Sequence, residues 1–218
     1  MSFSKIASKI VAATILLVST NVFAFTEGTD YVKLDKPIPN ADKTLIKVFS
    51  YDCPFCYKYD KTVTPAVVKK LGDSIKFEPF HLKTKGKYGA QASELFAVLL
   101  VKDMDNGITN IFDDKSIFKK TKMAYYSAYH DKKERWDSGA DSFLETGFKT
   151  AGITKSDFDT AKNDPRVKDI LNKWEVAYEV AKIQGVPAFV VNGKYLIYTK
   201  SIRSIDGMVE LIKELLNK

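Results

Sequence analysis

The chain has 218 residues, 34 Lys and Arg against 27 Asp and Glu, a formal net charge of +7 and 45% hydrophobic residues. That apolar fraction excludes a disordered chain, and the scarcity of Arg (Arg135, Arg166 and Arg203 alone) argues against a nucleic-acid reader, which depends on the bidentate guanidinium fork. Only two cysteines are present, too few for a small scaffold stapled by several disulfides.

Residues Met1 to Ala24 carry Lys5 and Lys9, an apolar stretch from Ile10 to Val18, and Val22-Phe23-Ala24. This is the layout of a cleaved secretory signal, with Phe25 as the mature N-terminus. The stretch is shorter than the roughly 20 residues a bilayer span needs. The mature chain suffices for one generous domain, or a core with an insertion. A lysine-solvated surface accounts for its mildly basic charge; a positive rim that attracts acidic protein substrates is the alternative.

A short alternating strand is predicted from Tyr31 to Leu34, then a turn at Lys36 to Asn40, then a denser apolar strand from Leu45 to Ser50. A helix opens at Pro54 and runs through Lys70, kinked near Thr64-Pro65 and closed by Leu71-Gly72-Asp73. Ser74 to Phe80 is a third strand. After the glycine and lysine turn from Lys83 to Gly89, apolar residues recur at helical spacing from Ala90 to about Lys162: Leu95, Val98, Leu99; Ile108, Ile111, Phe112; Met123, Tyr126; Phe143, Phe148. Asp164 and Pro165 then start a helix that continues to Ile183 and ends at Gly185. Val186 to Tyr198 is a hairpin on Asn192-Gly193, and a last helix runs from Ser204 or Ile205 to Leu216.

Cys53-Pro54-Phe55-Cys56 falls where the second strand hands over to the first helix. There the first sulfur lies at a helix N-terminus, whose partial positive charge favours thiolate over thiol, so the pair reads as a redox switch. A local structural bridge is the weaker alternative, because so short a loop removes little unfolded-state entropy. Zinc needs four ligands, and beyond the pair only His81 and His130 are available, at no finger-like spacing. No metal and no bound cofactor is expected; the reactive group is the Cys53-Cys56 pair itself.

The strand-to-helix Cys-Pro-x-Cys, together with Gly185-Val186-Pro187 ahead of a hairpin and terminal helix, resembles the thioredoxin fold. The long helical block between them resembles the exported disulfide oxidases of the DsbA family, and the likeness covers essentially all of the mature chain. Phe49-Ser50-Tyr51, Pro54-Phe55 and the lysine-rich surface are most similar to the DsbL branch. The expected organisation is an α/β, thioredoxin-like fold over 25–85 and 166–218, with an all-helical insertion over 86–165.

The resemblance implies that Cys53 is the exposed nucleophile and Cys56 the buried resolving thiol. Val186 and Pro187 match the cis-proline loop that faces the disulfide and pairs with substrate, with Pro54 and Phe55 on the same substrate-binding surface. It further implies a monomeric periplasmic oxidase of reduced exported proteins, a restricted set typified by an arylsulfotransferase. A DsbB/DsbI-type inner-membrane quinone-linked oxidase would restore the disulfide, and no nucleic acid is involved.

Two departures stand out. Phe55 occupies the place where the family's commonest motif has His, which removes one contribution to the thiolate. Six residues before the nucleophile, Lys47 replaces a buried acid. If it points inward it favours thiolate and assists proton movement at Cys56; otherwise it is a strand lysine whose head reaches solvent. A Cys53 pKa lowered from about 8.5 to about 4 stabilises the reduced form by roughly 4 kcal/mol at pH 7, on the order of 90 mV toward oxidising.

A disulfide isomerase or reductase is the first rival, although the isomerase family carries an N-terminal dimerisation domain and only a short stretch precedes the second strand. The second rival is a client-binding chaperone that uses exposed aromatics at Tyr51, Phe55 and Tyr57. Tyr125 to His130 reads as helix packing, His81 as a hydrogen-bonded loop histidine, and Lys83, Lys85 and Lys87 as either a rim of the site or a solvated turn.

Overall fold

A computed structural model describes residues 25–218; the expected signal over 1–24 lies outside the described residues. Five strands, β1 (Tyr31–Lys33), β2 (Thr44–Phe49), β3 (Lys76–His81), β4 (Ala188–Val191) and β5 (Tyr195–Ile197), form one sheet in the order β1-β5-β4-β2-β3. Only β2 and β3 run parallel. All six residues of β2 are buried, which its continuous apolar run requires of a strand covered on both faces. Asn192 and Gly193 both have positive φ, 53° and 62°, and make the tight turn between β4 and β5.

β3 forms an edge of the sheet and carries Pro79, a residue that only an edge tolerates. Lys76 and Leu82 donate their N–H groups to the β2 side, to Lys43 and Phe49. Alternation therefore points the nitrogen of Pro79 outward.

The first helix is interrupted, as its proline demands. α1 (Pro54–Lys58) passes through one π-helical turn (Tyr59–Val63) into α2 (Thr64–Leu71), where Pro65 sits in the first turn and needs no donor. α3 (Gly89–Asp105), α4 (Ile117–Tyr126), α5 (Ala140–Ala151) and α6 (Lys155–Ala161) lie between β3 and α7 (Pro165–Trp174) in the chain; a second π turn, Ser127–Asp131, extends α4. α8 (Ala177–Gln184) and α9 (Ile205–Leu216) complete the fold. One core joins α2 and α9 to one face of the sheet through Leu45, Val67, Phe189 and Ile212, and the other joins the remaining helices through Ile46, Val48, Phe96 and Val180.

Two expectations are corrected. Ile108, Ile111 and Phe112 lie in a loop rather than a helix, because Gly107 at φ 72° ends α3 and Asp103 captures the start of α4. The buried Asp103 carboxylate accepts from the Ser116 hydroxyl (2.6 Å), Ile117 N–H (2.9 Å) and Phe118 N–H (3.2 Å). The helix expected to run from Pro165 to Ile183 is two: Glu175 N–H bonds three residues back, to Asn172, and that tightened turn separates α7 from α8. No glycine or proline marks the break.

Asp103→Ala strands three donors at once and is expected to lower stability by about 3 kcal/mol or more, with Asp103→Asn costing less. Urea unfolding of the two variants checks this; equal losses would remove the carboxylate from its role in starting α4.

Candidate functional site

Cys53 is the N-cap of α1, extended at φ −90° and ψ 111°, and its sulfur accepts the Cys56 N–H at 3.0 Å. The two cysteines form a disulfide with Cα atoms 5.2 Å apart. The Val186–Pro187 peptide is cis, and the Val186 carbonyl oxygen lies 3.3 Å from the Cys53 sulfur. The topology thus brings Val186 and Pro187, far away in sequence, onto the disulfide.

Cys53 is not the exposed group that the resemblance implied: it is 2% exposed, while Phe55 between the cysteines is 65% exposed. The loop carrying Val186 covers the sulfur. Tyr51 and Tyr57, which the chaperone alternative needs at the surface, are buried as well; the Tyr51 ring lies among Tyr129, Trp136 and Phe143, and its oxygen accepts the Tyr88 N–H at 3.0 Å. Gly86, at φ 85°, lets the lysine turn cross that ring, since a Cβ there would lie 2.8 Å from it.

The lysine turn therefore borders the site. Lys85 pairs with Asp52, next to Cys53, at 3.4 Å, and Lys83 and Lys87 pair with Glu175 and Asp137. His81 ends β3 in the core, hydrogen-bonded to Ser93 at 2.7 Å, and burial pushes its pKa down to about 3, so it stays neutral. His130 stacks on Tyr57, whose hydroxyl donates to Asp131 at 2.7 Å.

Beneath the disulfide lies a charge cluster that sequence reasoning missed in part. Lys47 is 1% exposed and points inward, so its head does not reach solvent. Its ammonium lies 2.5 Å from Asp60, 3.2 Å from the Thr64 hydroxyl and 3.5 Å from the Cys56 carbonyl. The second oxygen of Asp60 is 3.0 Å from Lys122 and accepts from the Tyr126 hydroxyl at 3.2 Å. The first π turn supplies Asp60, and α4 supplies Lys122 and Tyr126. An inward strand lysine requires a buried acid somewhere, but nothing in the sequence says that Asp60 is the one.

Desolvation dominates at Lys47 and, with repulsion from Lys122, outweighs attraction to Asp60, so its pKa falls to about 8. Desolvation pushes Asp60 the other way, yet Lys122 and Lys47 together overcome it and hold the carboxyl at about 2. The cluster thus sets two lysines against a single carboxylate.

A family model described as Thioredoxin matches residues 38–214. The chain is 60% identical over 220 residues to the thiol:disulfide interchange protein DsbL of Escherichia coli O6:H1, covering all of this chain and 99% of that one. It is 30% identical to DsbA of Pectobacterium carotovorum subsp. carotovorum, over 94% of each. The crystal structure of DsbL from Salmonella enterica serovar Typhimurium superposes with a TM-score of 0.86 at 65% identity, covering 89% of this chain and 98% of that one.

Asp60→Asn leaves two buried ammonium groups facing each other and should lower stability at pH 7 by about 3 kcal/mol. Because the folded pKa of Asp60, about 2, lies below the unfolded value, its stabilisation is complete above roughly pH 4 and is lost as pH falls through the folded value. Urea unfolding at several pH values should therefore show the gap between the two proteins closing on acidification; a gap that stays constant contradicts the assignment.

Proposed function

The chain belongs to the DsbA family of thiol:disulfide oxidoreductases, and on that premise we propose that it is the oxidising member of a periplasmic pathway. A thiolate of a reduced exported protein attacks the Cys53 sulfur, the Cys53–Cys56 bond breaks, and Cys56 leaves with the electron pair. A second client thiol then attacks the mixed disulfide, so the client gains its disulfide and the two electrons rest on the enzyme's dithiol. A membrane quinone-linked oxidase of the DsbB/DsbI type takes them away.

The observation that carries this direction is the position of Cys53. Its sulfur accepts the Cys56 N–H at a helix start, above a cluster with one more cation than anion. Each of these favours a thiolate in the reduced enzyme, and stabilising the reduced form makes the disulfide a stronger oxidant. A reductase needs the opposite bias. Lys47 is thus a tuning residue for the pair, acting through charge.

Client backbone would dock against Val186 and Pro187, with Pro54 and the exposed ring of Phe55 beside them. A narrow client range, with an arylsulfotransferase as its type, is part of this proposal, and one copy of the chain suffices for every step. The domain division, a thioredoxin-like unit over 25–85 and 166–218 and an insertion over 86–165, belongs to the same reading.

Thiolate absorbance of the reduced protein against pH tests the premise. Cys53 should ionise near pH 4, and Lys47→Met and Lys122→Met should each raise that midpoint by about one unit. Cys53→Ser should abolish oxidation of a reduced client, while Cys56→Ser should accumulate a mixed disulfide at Cys53. A midpoint near 8.5, or a reduction potential near the −270 mV or so of thioredoxin, would end the oxidase reading.

A further inference from the structure

Lys47 and Lys122 are 1% and 5% exposed, and both rest on Asp60. The remaining groups on the cluster, the Thr64 and Tyr126 hydroxyls and the Cys56 carbonyl, are neutral, and the Phe189 ring lies 5.8 Å from Lys47. A buried charge without a partner is costly, and the usual remedy is a counter-ion.

A cavity of about 300 Å³ opens onto this excess charge, bounded by Asp60 and Lys122 at its inner end and by Lys119 and Lys61. Lys119 is held there by Asp114 and the Phe112 carbonyl, and Lys61 lies over the Tyr57 ring. The remaining wall is apolar: Pro65, Ile111, Phe112 and Met123. With three lysines against the single acid Asp60 in its lining and an apolar side, the cavity is complementary to an anion with a compact hydrocarbon body, and its volume is that of a small-molecule site.

We propose that this cavity is a binding site for a small organic monoanion, a carboxylate, whose charged end completes the Lys47–Asp60–Lys122 cluster and whose hydrocarbon body rests on Pro65, Phe112 and Met123. A ligand there neutralises the charge that lies under the disulfide. Resting on the oxidase reading above, occupancy then raises the Cys53 pKa and makes the enzyme a weaker oxidant, so the site links thiol chemistry to the supply of an acid.

The probe is cyclohexanecarboxylate, with the neutral cyclohexanecarboxamide and chloride as comparisons, titrated into the oxidised mature protein and followed by amide chemical shifts. Saturable changes at Asp60, Phe112 and Lys122 are expected with the carboxylate, at least about tenfold weaker with the amide and in both Lys122→Met and Phe112→Ala. Truncating the Phe112 side chain leaves its carbonyl, which holds Lys119, and the Lys47–Asp60–Lys122 contacts in place, so its variant keeps the test valid if Lys122→Met folds poorly. Equal response to the amide, chloride binding as tight as the carboxylate, or no saturation overturns the site. At pH 7, where the probe is fully ionised, saturating carboxylate should shift the enzyme's equilibrium with glutathione toward the Cys53–Cys56 disulfide; binding without that shift overturns the link alone. An ordinary Cys53 value in ligand-free protein overturns the oxidase reading and leaves the site standing.

Discussion

Two ammonium groups share one carboxylate under the disulfide, and much of the rest of the molecule is arranged around that imbalance. Asp60, reached by both lysines, lies in the π turn into which its helix widens just ahead of Pro65. The proline that would break an ordinary helix is accommodated there, and the same local unwinding accompanies the carboxylate's inward position. Without Asp60 the two cations would repel each other in a region with little water to screen them. With it, both lysines keep a partner in the layer below the cysteine-bearing helix.

The inserted helices pack directly on the helix that carries the cysteines. α4 contributes Lys122 and the Tyr126 hydroxyl to Asp60, and the second π turn contributes Asp131 to the Tyr57 hydroxyl. Tyr57 and Tyr126 stack with ring centroids 5.2 Å apart. Hydrogen bonds, an ion pair and aromatic packing therefore join the helix that carries the cysteines to α4. The charged and hydroxyl groups around Asp60 therefore come from both sides of that joint.

Much of this could be read from the residues. The strand-turn-helix placement of Cys53 and Cys56, the hairpin on Asn192-Gly193 and the helix start at Asp164-Pro165 are local signals, and each is where short-range chemistry puts it. The misses were long-range. Ile108, Ile111 and Phe112 have helical spacing, but a carboxylate at Asp103 reaching the next helix start overrides it. The split between α7 and α8 has no breaker residue to announce it. Asp60 and Lys122 look like ordinary surface charges in a chain with 27 acids and 34 bases, and only the closure of α4 over the π turn makes them a buried set. Burial of Cys53 likewise depends on a loop more than a hundred residues away.

Pro79 has a consequence beyond the fold. The outward-facing nitrogen of the edge strand carries no hydrogen, so the outer rim of the sheet lacks a donor in its middle. An extended polypeptide that tried to zip onto that rim would find a gap in the ladder. For a thiol:disulfide oxidoreductase this matters, because such an enzyme meets other polypeptides whose strands could seek an open edge. A single imino acid thus helps keep the sheet from being lengthened by a stray strand.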